Sequence, residues 1–251
     1  MNGIFSEKDY ATIVKASLSL CPPEGAAHLI SEGRRLVCLL RHGQTDWNVE
    51  RRLQGRESVP LNVIGREQSN ACGEVFRRAA EAGFKISRVY TSPLGRAMET
   101  AEAVARIALL PAAQIEDELN ERDYGTLSGL TVEERKNNYK SGVRATGIES
   151  VKDTAARMKR VLVAISEGED DGAVLAVTHG GVINALFVNI TSGRIGTGKS
   201  ISENCSVSLV AVGRDAVIPL AYGLFGDDFL DYAKRYTEKI AQLDAESGVL
   251  G

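Results

Sequence analysis

The chain has 251 residues, 43% of them hydrophobic and 25% charged, enough to bury one full core. A formal net charge of −3 excludes the broad basic footprint that grips nucleic acid. The four cysteines, Cys21, Cys38, Cys72 and Cys205, lie far apart with no CxxC pair and no Cys/His metal spacing; they read as free thiols in a reducing cytoplasm.

Residues 11–20 are mildly apolar, but Lys15 interrupts them and Glu7 and Asp9 precede them. That pattern is neither a signal peptide nor a membrane span, so a cytoplasmic protein without a membrane partner is expected. Residues 7–20 are read as a short amphipathic helix closed by Cys21-Pro22-Pro23-Glu24-Gly25. Residues 1–34 are therefore expected as an N-terminal helical appendage, packed on the domain at 35–251 or on a partner chain.

The apolar run Leu36-Val37-Cys38-Leu39-Leu40 reads as a buried strand, and it breaks abruptly into Arg41-His42-Gly43-Gln44-Thr45. Asn62 to Ala82 has helical periodicity, with Gly83 as its stop. Val89-Tyr90-Thr91 is a short strand, and Pro93 to Ala108 is a helix with proline near its beginning. Gln114 to Leu119 is expected to be extended. Thr131-Val132-Glu133-Glu134 forms a capping box that opens another helix. Val151 to Glu167 is helical, and Ala173-Val174-Leu175-Ala176-Val177-Thr178 is a second buried strand ending in His179-Gly180-Gly181. Gly180 to Thr191 follows as a helix, Cys205–Val212 and Ala216–Tyr222 pair as strands, and Asp227 to Leu243 is the last helix. Strands alternating with helices predict an α/β three-layer sandwich: a mostly parallel central sheet flanked by helices, its last strands antiparallel.

Two of the three histidines follow strand ends and precede glycine, the position where parallel sheets bind ligands. Arg96, in Thr91-Ser92-Pro93-Leu94-Gly95-Arg96-Ala97, falls in the first turn of a helix, where a cation opposes the helix dipole but can share an anion with it. The polar loop Leu119-Asn120-Glu121-Arg122-Asp123-Tyr124-Gly125 completes the set. Arg41 and Arg96 supply planar forks for phosphate oxygens, the two imidazoles a nucleophile and a donor, and Glu121 a proton. Glu116, Asp117, Glu118 and Asp123 are neighbouring carboxyls that could take the place of Glu121.

With Arg41-His42-Gly43, Ser92-Pro93-Leu94-Gly95-Arg96-Ala97, Leu119-Asn120-Glu121-Arg122 and Thr178-His179-Gly180-Gly181 in this order, the chain resembles the histidine phosphatase superfamily over roughly residues 35–222. That clan includes the cofactor-dependent phosphoglycerate mutases and related phosphatases. The resemblance implies that His42 accepts the phosphoryl group, that Arg41, Arg96 and His179 form the phosphate pocket, and that Glu121 is the acid/base. It also implies that Asn48 helps hold the phosphoryl group and that Gln54 and Gly55 lie in a loop beside the substrate. Tyr124 and Gly180 are the remaining substrate-side candidates.

The mechanism this suggests needs a neutral His42, one ring nitrogen fixed as a donor to a carbonyl and the other free for phosphorus. It needs no metal and no cofactor, and its partner is a small phosphorylated metabolite; a homodimer is allowed but not required. Three functions remain open: a phosphomonoester hydrolase, a phosphoglycerate mutase, and a non-enzymatic phospholigand-binding module. The stretch Leu119 to Leu130 is similar to the mutases. However, Val132 stands where mutases have a lysine, and Thr131 to Asp171 is too short for their arginine-bearing insertion. Gly147-Ile148-Glu149-Ser150 and Gly181-Val182-Ile183 resemble the phosphatases, which makes hydrolysis the leading expectation.

Overall fold

The computed structural model describes residues 17–248. Seven strands form one sheet in the order β1-β7-β6-β2-β5-β3-β4. They are β1 (Leu18–Ser19), β2 (Arg35–Arg41), β3 (Ile86–Thr91), β4 (Gln114–Ile115), β5 (Ala173–Thr178), β6 (Val207–Val212) and β7 (Val217–Leu224). The helices are α1 (Pro23–Ser31), the single turn α2 (Asp46–Val49), α3 (Val63–Glu81), α4 (Gly95–Ala108), α5 (Val132–Lys140), α6 (Val151–Ser166), α7 (Gly180–Ile190) and α8 (Asp227–Gly248). Among the described residues no helix is long and apolar enough to cross a membrane.

The central strands are apolar on both faces because each face has its own core. Leu36, Cys38 and Leu40 of β2 join Leu175 and Val177 of β5 against Phe76 of α3, Ala101 and Val104 of α4, and Phe229 of α8. Val37 and Leu39 face the other way, with Val174 and Ala176, against Met158 and Leu162 of α6 and Ile183 and Leu186 of α7. Alternate side chains of one strand thus feed two hydrophobic layers, which gives the run its continuous apolar character.

The sheet is more mixed than expected. β2–β5, β5–β3 and β3–β4 are parallel, whereas β2–β6, β6–β7 and β7–β1 are antiparallel. The N-terminal segment corrects another expectation. Residues 7–16 lie outside the described residues, but Leu18–Ser19, read as helix, is a strand pairing with Tyr222 and Ala221. A free edge on β7 offers hydrogen bonds that a polar-flanked turn of helix cannot match. The Pro22-Pro23 pair, read as a helix terminator, starts one: Pro22 is the N-cap of α1 and Pro23 its first residue, where proline's missing N–H costs nothing. Gln114 to Leu119 is extended only at Gln114–Ile115 and then coils into a 3-10 turn at Asp117–Leu119.

The parallel register brings the chemistry together. Arg41 of β2 is level with Thr178 of β5, and Thr91 of β3 with Val177. The His42 N–H bonds the Thr178 carbonyl and the Ser92 N–H bonds the Val177 carbonyl, each at 3.0 Å. Three loops therefore leave the sheet side by side at the carboxyl ends of adjacent central strands.

Candidate active site

His42 and His179 meet at that edge, their rings 5.2 Å apart between centroids and inclined by 59°. Both are buried. Nδ1 of His42 lies 2.7 Å from the Gly43 carbonyl. A carbonyl can only accept, so Nδ1 carries the hydrogen and Nε2 keeps its lone pair. Burial, then the Arg96 and Arg41 cations, push the His42 pKa well below the usual imidazole value, so the ring is neutral.

Arg96, in the first turn of α4, points its guanidinium back toward the sheet edge and is only 1% exposed. Its Nε donates to Nε2 of His42 at 3.3 Å, and Nη1 and Nη2 donate to the carbonyls of Glu57 and Gly55, each at 2.8 Å. Burial lowers its pKa to about 10, leaving it a cation at neutral pH. Arg41 donates through Nη1 to the Ser202 carbonyl, while its Nε is buried without a hydrogen-bond partner among the described residues. Gly180 packs closely beside it, since a Cβ there would stand 3.1 Å from that Nε.

His179 is fixed by Ser92, whose Oγ lies 2.7 Å from Nε2. Ser92 Oγ also accepts the Leu94 N–H. Nδ1 of His179 is a second buried nitrogen without a hydrogen-bond partner among the described residues. The unpartnered buried Nε–H of Arg41 is costly unless an acceptor meets it, and an anion's oxygens have that chemistry. Burial, followed by the Arg96 cation, the neighbouring His42 ring and the Arg41 cation, lowers the His179 pKa well below 6.5.

Glu121 has a structural duty that the sequence did not announce. Its carboxylate accepts the N–H groups of Gly181 and Val182, each at 3.1 Å, and that of Arg122 at 2.7 Å. It caps α7 from another loop, because His179 at the N-cap makes no side-chain cap bond. Burial raises its pKa, opposed by these N–H groups and by Arg96 and Arg41. The loop carrying Glu121 is clamped by Arg157 of α6, which bonds the Asn120 carbonyl at 2.9 Å and the two carboxylate oxygens of Glu149 at 2.9 and 3.0 Å. Glu116, Asp117, Glu118 and Asp123 do not share the position of Glu121 over α7; Asp123, for example, bonds the Gly125 N–H instead.

The substrate-side candidates gather around this centre. Asn48 is in the α2 capping box with Thr45. Gln54 is buried with its Oε1 unpartnered among the described residues, and Gly55, at φ +53°, presents its carbonyl to Arg96. Tyr124 approaches Gly181 so closely that a Cβ on that glycine would fall 2.6 Å from its hydroxyl. Beside Tyr124, residues 146–149 run antiparallel, with Tyr124 bridged to Ile148. Arg122 turns aside, bonding the Glu149 carbonyl and lying 5.3 Å over the Tyr124 ring.

Ser92, Asn204 and Arg157 were missed as site residues. Ser92 lay inside a segment already singled out. Asn204 and Arg157 had no local signal for the site, since Asn204 reaches His42 across 162 residues and Arg157 reaches the Asn120 carbonyl across 37.

The histidine phosphatase superfamily (branch 1) matches residues 37–223. An uncharacterized phosphatase, PhoE, of Bacillus subtilis is 35% identical over 157 residues, covering 62% of this chain and 78% of that protein. A 2,3-bisphosphoglycerate-dependent phosphoglycerate mutase of Rhizobium etli is 31% identical over 208 residues, covering 76% of this chain and 90% of the mutase. A mycobacterial glucosyl-3-phosphoglycerate phosphatase, solved with VO3, superposes with a TM-score of 0.62 at 27% identity, covering 74% of this chain and 97% of that one.

Proposed function

The chain belongs to the histidine phosphatase superfamily, and from that premise we propose that it hydrolyses phosphomonoesters of small metabolites through a phosphohistidine on His42. The observation that carries this reading is the Nδ1 bond of His42 to Gly43, which leaves a neutral Nε2 lone pair among cations. In the first half-reaction Nε2 attacks phosphorus in line, the P–O ester bond breaks, and Glu121 gives its proton to the leaving alkoxide. In the second, Glu121 as carboxylate takes a proton from water, whose oxygen displaces the imidazole to release inorganic phosphate. Arg41, Arg96 and His179 neutralise the equatorial oxygens throughout. Because the charge is balanced by protein cations, the reaction is expected to proceed in EDTA.

Hydrolysis is favoured over mutase chemistry by the thin cover over the site. Helix α5 buries none of its residues, and only residues 141–150 connect it to α6. A mutase has to keep water from its phosphoenzyme, and a loosely packed lid does this poorly. The mutase reading is kept alive by the Rhizobium etli relative and the Leu119 to Leu130 segment. Parallel assays of 2-phosphoglycerate and free phosphate from 3-phosphoglycerate, with and without 2,3-bisphosphoglycerate, together with a screen of phosphorylated metabolites, test the proposal. Phosphate release is expected to dominate; isomerisation faster than hydrolysis overturns it.

A further inference from the structure

Asn204 lies in the turn before β6, outside every motif of the sequence, yet its side chain reaches two parts of the site. Nδ2 donates to the His42 carbonyl at 2.9 Å and to Asn48 Oδ1 at 3.3 Å. An amide side chain can be turned end for end unless its partners distinguish nitrogen from oxygen. Here the His42 carbonyl can only accept, so the nitrogen of Asn204 faces it, and the second hydrogen of that nitrogen goes to Asn48. Oδ1 of Asn48 also accepts from the Thr45 N–H at 3.0 Å and the Thr45 hydroxyl at 3.1 Å. With three donors on its oxygen, Asn48 has only Nδ2 to offer an anion.

The turn holding Asn204 is built around the same strand end. Cys205 adopts a left-handed φ of +56°, its N–H bonds the Arg41 carbonyl at 3.0 Å, and Ser202 accepts from the Arg41 side chain. We propose that Asn204 is a positioning residue, which locks the Asn48 amide with its nitrogen toward the phosphoryl oxygens and ties it to the backbone of the nucleophile. The inference rests on the phosphatase reading for its consequence in catalysis, but its geometric content can be tested by anion binding alone.

The test compares wild type with Asn204→Ala, Asn204→Asp, Asn48→Ala and the Asn48→Ala/Asn204→Ala double variant, each checked for melting temperature. The readouts are affinity for orthovanadate and inorganic phosphate, and kcat/KM on p-nitrophenyl phosphate. Asn204→Ala is expected to weaken both by about tenfold, and Asn204→Asp, which sets an acceptor against two carbonyl oxygens, by about a hundredfold. In the Asn48→Ala background, losing Asn204 should cost less than about threefold more, because its partner is already gone. Effects of the two single variants that multiply in full overturn the inference, as does Asn204→Ala within about twofold of wild type. Should Asn204→Ala fail to fold, Asn204→Ser is read in its place by the same criteria. A wild-type protein that binds vanadate but hydrolyses no phosphomonoester overturns the functional reading, while the affinities still decide the role of Asn204. Binding of neither anion overturns both.

Discussion

Nε of Arg96 donates to Nε2 of His42 at 3.3 Å, so the ring nitrogen assigned the attack on phosphorus rests against a cation assigned to its product. The same guanidinium holds the Gly55 and Glu57 carbonyls. One side chain therefore orients the His42 ring, charges the pocket and pins the loop that carries Gln54.

Arg96→Ala should accordingly lose two orders of magnitude or more in kcat/KM, since one preorganised donor to a developing charge is worth about 3 kcal/mol. Arg96→Lys should not restore it, because an ammonium cannot span His42 and two carbonyls at once. Steady-state kinetics on a good phosphomonoester check this, and a loss below about fivefold would place Arg96 outside the reaction.

His42→Ala should abolish both hydrolysis and the acid-labile phosphoenzyme while the protein remains folded, because the ring lies at a strand's end and outside the two apolar cores. Rapid quench with radiolabelled substrate gives the phosphoenzyme, and circular dichroism gives the fold. A folded variant that keeps most of its activity would remove His42 as nucleophile. Phosphoenzyme in the wild type would also exclude a protein that only binds phosphorylated ligands.

Gly181→Ala probes the acid. The added Cβ would fall 2.5 Å from Glu121 Oε1 and 2.6 Å from the Tyr124 hydroxyl, so the carboxyl must move. Alanine at the start of α7 is otherwise favourable to the helix. The expected outcome is a kcat about tenfold or more below wild type, with some loss of melting temperature from the disturbed α7 cap. Unchanged kcat would mean that Glu121 need not stand where it does.

Stability should fall as the solution is acidified below about pH 6.5. His42 and His179 have folded pKa values well below 6.5, from burial first and the neighbouring arginines second. The unfolded chain then binds protons that the folded chain refuses, so stability rises with pH across that window. Glu121 has the opposite sign: its raised folded pKa stabilises below 4.5 and loses that contribution as pH rises through the folded value. Between about pH 7 and pH 5.5 the two histidines should dominate. Urea unfolding at both values tests this, and a His42→Asn/His179→Asn variant should show a shallower dependence; equal slopes would count against buried neutral imidazoles.

Much of the fold, and the residues gathered in the candidate site, was legible because the signals are local. Apolar runs ending in Arg-His and Thr-His, a proline ahead of α4 and the capping box at Thr131 each act within a few residues, where backbone geometry and side-chain type suffice. The same locality explains the errors. Leu18–Ser19 is a strand only because β7 offers an edge, and Pro22-Pro23 opens a helix whose packing on α8 no nearby residue reveals.

The sequence by itself determined which groups are present and in what order they leave their strands: His42, Arg41, Arg96, Glu121 and His179, with glycines where backbones crowd. Only the tertiary structure decided how they are presented. The register of β2, β5 and β3 sets the two imidazoles 5.2 Å apart, Glu121 becomes the cap of a helix 60 residues away, and Asn204 reaches back 162 residues to the His42 carbonyl. Hydrogen bonds of this kind depend on distance in space and not along the chain, so no spacing in the sequence records them.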